Sequence, residues 1–398
     1  MKKRILFVDD ETKVLQGLKR MLRPMRREWD MQFADSGKKA LEMMAEEPFN
    51  VVVSDMRMPE MDGAQLLTEV MTRYPDCVRI VLSGQAEKEA MMRSIGPSHQ
   101  YLSKPCDPDV LKDTVSRACA LRDVLSSDRL SFVAKIENLP VLPEIYTDLM
   151  KELKSEDPSI RYISRLIEKD MGLTAKILQL VNSAYFGVRR RVTNPAQAVT
   201  LLGLENVRSL LLFANVFSQM EMKGNIPGFS MDQAWKHSAS VGRAARDILK
   251  EDGQGKEAMD DALSAGLLHD CGQLIYAANM AEEYKTAFTL ASEENLPLWQ
   301  AETQVMGASH AEVGAYLLGL WGLPDTIVEA LAFHHTPRKS FTTEVNVLTA
   351  VHVADVFVAE QSSSIGRTAE ENLDQEYLEN LGVSEKVETW ADLSRKTA

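Results

Sequence analysis

Residues Val51–Gly63 read VVVSDMRMPEMDG. The apolar run Val51–Val53 is too short for a helix and ends in Ser54 and Asp55 before a loop marked by Pro59 and Gly63. A buried strand bounded by turn residues has this form, and it delivers a carboxylate to the end of a sheet. Similar runs lie on either side at Ile5–Val8, Met31–Ala34, Ile80–Leu82 and Tyr101–Leu102. Between and after them lie the helix-period segments Thr12–Leu22, Lys38–Glu46, Ala64–Arg73, Glu87–Ile95 and Pro108–Leu121. Strand–helix alternation of this kind implies an α/β domain, with helices on both faces of a parallel sheet.

Polar residues follow the runs: Asp9 and Asp10 after the first, Asp55 after the third, Ser83 after the fourth, Lys104 after the fifth. Ligands of open α/β sheets bind at the carboxyl ends of the strands, so these side chains should converge there. Carboxylates gathered at one point repel unless a cation joins them, and Mg²⁺ is the oxygen-preferring choice. Mg²⁺ and a lysine ammonium together neutralise a phosphoryl group. A carboxylate can act as the nucleophile that accepts that group, and a serine hydroxyl can then hydrogen-bond it.

The pieces VDDE (Val8–Glu11), SDMRMPEMDG (Ser54–Gly63), VLSG (Val81–Gly84) and YLSKP (Tyr101–Pro105) resemble the receiver domain of two-component response regulators. The resemblance implies a flavodoxin-like five-stranded parallel sheet of order 2-1-3-4-5. It implies Asp55 as phospho-acceptor and Asp10 as Mg²⁺ ligand supported by Asp9, with the Arg57 backbone carbonyl completing the metal site. It makes Ser83 and Lys104 the phosphate sensors and Tyr101 the switch aromatic. It also implies a sensor histidine kinase as phosphodonor.

The remainder is different. From about Leu139 no strand alternation is evident, and long helix-period segments such as Met231–Leu249, Asp260–Ala278, Ala311–Leu320 and Glu344–Glu360 dominate. This is the pattern of an all-α domain. Six of the seven histidines fall here: His237, His269, His310, His334, His335 and His352. Asp270 adjoins His269, and Asp355 sits on a late helix. Imidazole with carboxylate suits Zn, Fe or Mn. A histidine on an apolar helix is more often a satisfied core residue, and His352 is read that way. Spacing alone does not bring the others together.

Several ordered motifs resemble the HDOD domain, an HD-related output domain similar in fold to the HD-GYP cyclic di-GMP phosphodiesterases. They are LPVLPEI (Leu139–Ile145), VNSAYFG (Val181–Gly187), AVTLLGLENVRSLLL (Ala198–Leu212), AGLLHDCGQLI (Ala265–Ile275), SHAEVGAYLLGLWGLP (Ser309–Pro324), His334-His335 and HVAD (His352–Asp355). Carried over from the HD-GYP relatives, the metal positions are His237, His269, Asp270, His310, His334, His335 and Asp355. Three departures stand out. Gln273 replaces the lysine after the HD pair, Gln233 stands where an acidic ligand is common, and Thr336-Pro337-Arg338 follows His335 with no GYP motif. A neutral amide cannot supply the charge that a lysine offers a scissile phosphate.

The expected organisation is a receiver at 1–122, a helical linker at 123–138, an HD-like output domain at 139–360 and an acidic, partly frayed tail at 361–398. The expected function is signal transduction: phosphorylation of Asp55 controls a non-catalytic output domain that acts through protein–protein contacts. Its partner is a downstream signalling protein, with cyclic di-GMP enzymes among the candidates. The alternative is a metal-dependent phosphodiesterase acting on cyclic di-GMP or a related diester. A homodimer is an expectation carried over from receivers.

The formal net charge of −13 opposes broad nucleic-acid binding, and no basic recognition helix is evident. Arg189-Arg190-Arg191 is read as a solvated charge run. The four cysteines form no CxxC pair, which suits a reducing cytoplasm. No apolar stretch reaches the roughly 18 residues of a membrane span.

Overall fold

The computed structural model describes residues 2–84, 98–104, 106–122, 143–153, 155, 157–182, 191–204, 207, 226–340, 342–362 and 372–397. The helix expected at Glu87–Ile95, the linker at 123–138, most of the segment after Val207 and the first two residues of the Arg189–Arg191 run lie outside them. The chain divides into two compact units, one built on Met1–Asn138 and the other on most of Leu139–Ala398.

The first unit is the α/β one. Its strands are β1 (Lys3–Val8), β2 (Trp29–Ala34), β3 (Val51–Asp55), β4 (Val78–Gly84) and β5 (Gln100–Lys104). They form one five-stranded sheet of order β2-β1-β3-β4-β5, as expected. Every pairing is parallel. Helices α1 (Thr12–Met21), α2 (Gly37–Glu46), α3 (Gly63–Arg73) and α4 (Pro108–Arg122) connect and follow the strands. Val51, Val52 and Val53 are fully buried, which explains the unbroken apolar run: a central strand covered on both faces has no solvent side to alternate with.

The register pairs Val8 with Ser54, Asp55 with Leu82 and Gly84 with Lys104. Asp9, Asp55 and Lys104 therefore share one edge of the sheet. Asp62 caps α3 through a capping box with Gln65. A Cβ at Gly63 would lie 3.0 Å from the Asp55 carbonyl carbon and from the Met56 Cα, so only glycine lets α3 start hard against the end of β3.

The second unit is helical. Its elements are α5 (Pro143–Leu153), α6 (Ile160–Ile167), α7 (Met171–Val181), α8 (Pro195–Leu202), α9 (Met231–Glu251), α10 (Lys256–Leu268), α11 (Cys271–Asn279), α12 (Ala281–Glu294) and α13 (Leu298–Val305). They continue with α14 (His310–Leu320), α15 (Asp325–Phe333), α16 (Val347–Ser362), α17 (Gln375–Asn380) and α18 (Val387–Arg395). α9 and α10 touch backbone to backbone: a Cβ at Gly266 would meet the Gly242 Cα at 2.7 Å. That approach draws together His237, just before the contact on α9, and His269, just after it on α10.

Two sequence expectations change. The single helix expected over Asp260–Ala278 is two, because the helix breaks at His269-Asp270. His269 closes α10 and Asp270 opens α11, so both side chains leave the helical ladder and point to one place. The tail is also less loose than expected. Trp390 is only 1 % exposed, Lys386 pairs with Asp252 at 2.5 Å, and Arg243 donates to the Thr397 carbonyl at 3.1 Å.

Candidate phospho-acceptor site and metal centre

At the strand edge of the first unit, Asp9, Asp10 and Asp55 offer oxygens within 4.8 Å of one another. Asp9 and Asp55 are buried and Asp10 is exposed. Asp9 accepts from the Glu11 amide at 2.9 Å. Lys104 donates to Asp9 Oδ2 at 2.6 Å and pairs with Asp55 Oδ1. Burial alone would lower the Lys104 pKa, but the bonds to Asp55 and Asp9 outweigh it and raise it. An all-oxygen, doubly buried carboxylate cluster fits Mg²⁺, and exposed Asp10 leaves an approach from solvent. Ser83 lies in β4 and Tyr101 in β5, while their side chains lie outside the described residues. Arg57 follows β3 on the loop beside this edge.

The second unit gathers all seven of the HD-like residues. They fall into two groups that share Asp270. Asp270 Oδ2 lies 3.3 Å from His269 Nε2 and 3.9 Å from His237 Nε2. Asp355 Oδ1 completes that side, 2.9 Å from His237 Nε2 and 3.5 Å from His269 Nε2. Asp270 Oδ1 lies 3.1 Å from His310 Nε2 and 4.0 Å from His334 Nε2. His335 completes the other side, its Nε2 3.0 Å from His310 Nε2. A carboxylate with one oxygen in each of two ligand clusters is the arrangement by which an aspartate bridges two metals.

Three imidazoles are oriented by hydrogen bonds on their far nitrogen. His269 Nδ1 lies 2.7 Å from the Gly266 carbonyl and His334 Nδ1 2.8 Å from the Leu331 carbonyl. A carbonyl only accepts, so Nδ1 carries the proton and Nε2 presents its lone pair to the centre. His310 Nδ1 donates to the Glu302 carboxylate at 2.7 Å. The Nε2 atoms of His269 and His334 are buried and have no hydrogen-bond partner. Two buried acceptors aimed at one point, beside two carboxylates, cost free energy unless a cation joins them. The donor set therefore fits a pair of divalent transition ions.

Burial and the neighbouring carboxylates act in opposite directions on these imidazoles. Burial opposes a cationic His269, yet Asp270 and Asp355 outweigh it and hold its pKa well up. Burial likewise opposes protonation of His310, but Glu302 and Asp270 raise it to about 10. Burial and the neighbouring His269 charge push His334 down to about 3.

The centre opens onto a cavity of about 590 Å³. Its walls include Phe229, Phe288, Trp299 and Lys236, and both Gln233 and Gln273 face it. Gln273 Oε1 accepts from the Tyr284 hydroxyl at 3.3 Å. His352, read as a core residue, is one: its Nδ1 bonds the His334 carbonyl at 2.7 Å and its Nε2 accepts from the Asp374 amide at 3.0 Å. Glu302 was not legible in the sequence as part of the site. It is fully buried beside His310, and nothing in the helix-period pattern of its segment marks it as such.

Comparison with known proteins finds a family for each part of the chain. The HDOD domain family matches residues 139–337 and the response regulator receiver domain family matches residues 5–116. The chain is 25 % identical over 229 residues to an uncharacterised protein of Treponema pallidum (strain Nichols), a match covering 58 % of this chain and 44 % of that protein. It is 36 % identical over 116 residues to the hydrogenase transcriptional regulatory protein HoxA of Cupriavidus necator, covering 29 % of this chain and 23 % of that protein. The chain thus spans less than half the length of these curated relatives. Among solved structures, the MmoQ response regulator of Methylococcus capsulatus aligns over 64 % of this chain and 98 % of its own, with 26 % identity and a TM-score of 0.47. No helix among the described residues is long and apolar enough to cross a membrane. With a receiver ahead of an HDOD domain that fills half its length, the chain belongs to the HDOD family and has the architecture of a two-component response regulator with an HDOD output domain.

Proposed function

We propose that phosphorylation of Asp55 by a sensor histidine kinase controls an HDOD output domain organised around a dinuclear metal centre, and that the output acts through contacts with a downstream signalling protein. The observation that carries the receiver half is the convergence of Asp9, Asp10, Asp55 and Lys104 at one sheet edge. Mg²⁺ held by Asp9, Asp10 and Asp55, with the Arg57 carbonyl, would supply positive charge to the incoming phosphoryl group. A carboxylate oxygen of Asp55 attacks the phosphorus, and the P–N bond to the kinase histidine breaks as the group transfers. Lys104, now bonded to both aspartates, turns to the added charge, and Ser83 and Tyr101 repack around it. The change is a population shift between two arrangements.

In the output half, His237, His269 and Asp355 would hold one ion and His310, His334 and His335 the other, bridged by Asp270. Fe, Mn or Zn suits these ligands. Gln273 gives the cavity no charge to place on a leaving oxygen, which supports an output by binding. A second reading, a metal-dependent phosphodiesterase acting on cyclic di-GMP or a related diester, is favoured by one observation: the centre faces a cavity rather than being sealed. Closed sites are structural, whereas catalytic ones keep an open position.

Two assays test these readings. Acetyl phosphate with Mg²⁺ should label the full chain and not Asp55→Ala; labelling retained in that variant would remove Asp55 as the acceptor. Cyclic di-GMP hydrolysis by the full chain, loaded anaerobically with Mn²⁺ or Fe²⁺, should be absent. Turnover that disappears in the His269→Ala/Asp270→Ala double variant would replace the binding reading with the hydrolase.

A further inference from the structure

The two halves of the centre are built differently. The half with His237 and His269 has Asp355 besides the shared Asp270. The half with His310, His334 and His335 has three imidazoles and the shared Asp270, and Asp355 reaches it only through Oδ2, 3.8 Å from His335 Nδ1. Its missing negative charge stands one bond further out. Glu302 on α13 is fully buried, and its Oε2 accepts both the His310 backbone amide and His310 Nδ1, each at 2.7 Å. Its other oxygen, Oε1, is buried with no hydrogen-bond partner. The imidazoles of His269 and His334, by contrast, lean on neutral backbone carbonyls. One helical turn before Glu302, Trp299 stacks on the His335 ring at 6.0 Å with an interplanar angle of 14°. One face of α13 therefore holds two of the three imidazoles of this half and none of the other.

We propose that Glu302 is a positioning residue for the ion held by His310, His334 and His335: it fixes the His310 ring, and its carboxylate supplies the negative charge that this half lacks among its ligands. The proposal rests on the metal centre set out above. A carboxylate behind a metal-ligating histidine raises the basicity of that ligand, and removing such a partner commonly weakens binding about 10–100-fold. The loss should fall on one ion of the two.

The test is Glu302→Gln in the full chain. The amide oxygen can still accept from both His310 donors, so the change removes charge while keeping shape. Mn²⁺ is titrated in excess Mg²⁺, which keeps the receiver carboxylates filled. Bound metal is counted by mass spectrometry, and electron paramagnetic resonance distinguishes an exchange-coupled pair from a single ion. The wild-type chain should bind two Mn²⁺ with a coupled signal. Glu302→Gln should bind one at the same free Mn²⁺ and show the isolated-ion signal, with the second ion returning only at about 10–100-fold higher concentration. Two ions bound by both proteins with equal affinity would overturn the role of Glu302 while leaving the metal centre standing. No Mn²⁺ in the wild-type chain would overturn the metal centre and this proposal with it.

Discussion

Replacing Gly272 by alanine tests how tightly the fold and the centre are coupled. Gly272 sits in the first turn of α11, two residues after Asp270, and faces the start of α14. A Cβ there would lie 2.7 Å from the His310 carbonyl carbon and 2.8 Å from the His310 Cα, with the carbonyl oxygen closer still. Ordinary carbon contacts begin near 3.5 Å, so α11 and α14 would have to separate by at least roughly 1 Å at that point. The obstacle is backbone, which cannot swing aside as a side chain does. Overpacking of this kind costs about 1–3 kcal/mol. At about 2–4 °C per kcal/mol for a domain of this size, the output domain should melt about 2–12 °C lower. The same displacement opens the 3.1 Å approach of His310 Nε2 to Asp270 Oδ1. Metal ligands tolerate only about ±0.2 Å, so the ion beside His310 should be lost even where the domain stays folded. Scanning calorimetry and metal analysis of Gly272→Ala read both effects. A melting temperature within a degree of wild type with a full metal complement would show that the close contact neither limits packing nor sets the position of His310.

The C-terminal segment should contribute to stability rather than act as a tail: Trp390 is 1 % exposed, so Trp390→Ala should cost about 3–5 kcal/mol in denaturant unfolding, and a loss under 1 kcal/mol would mean the segment is only loosely attached. Burial and the charge of Asp107 push the Cys106 thiol up to about 11. The thiolate is the reactive form, so alkylation of Cys106 should accelerate about tenfold per pH unit from 8 to 10, and a plateau near pH 9 would refute the shift.

Much of the first unit was legible because each strand is a short apolar run and each functional residue follows directly on one. The period of the chain itself carries Asp9, Asp55 and Lys104 to the same edge. The second unit was legible as helices but not as a site. Its candidate ligands come from α9, the α10–α11 junction, α14, the turn after α15 and α16, and helical spacing within any one of them says nothing about the others. Family motifs supplied the set, and the structure brings it together. The break at His269-Asp270 was hidden because the apolar pattern of Leu267, Leu268, Leu274 and Ile275 runs through it without a proline or glycine at the break. Glu302 was hidden for a related reason: in LWQAETQV it reads as one more polar helix residue, and only the packing of α13 puts it fully inside. The packed C-terminus had a signal that composition obscured, since Val387, Trp390, Ala391 and Ser394 fall at i, i+3, i+4 and i+7 along an otherwise acidic stretch.

In the proposed centre, seven side chains hold two metal ions across Asp270. Anomalous diffraction from crystals of the Mn²⁺-loaded chain, recorded above and below the Mn edge, addresses it directly. Two peaks are expected on opposite sides of the Asp270 carboxylate, one near His237, His269 and Asp355 and the other near His310, His334 and His335. A map with no peak at Asp270, or with manganese bound only elsewhere, would contradict it.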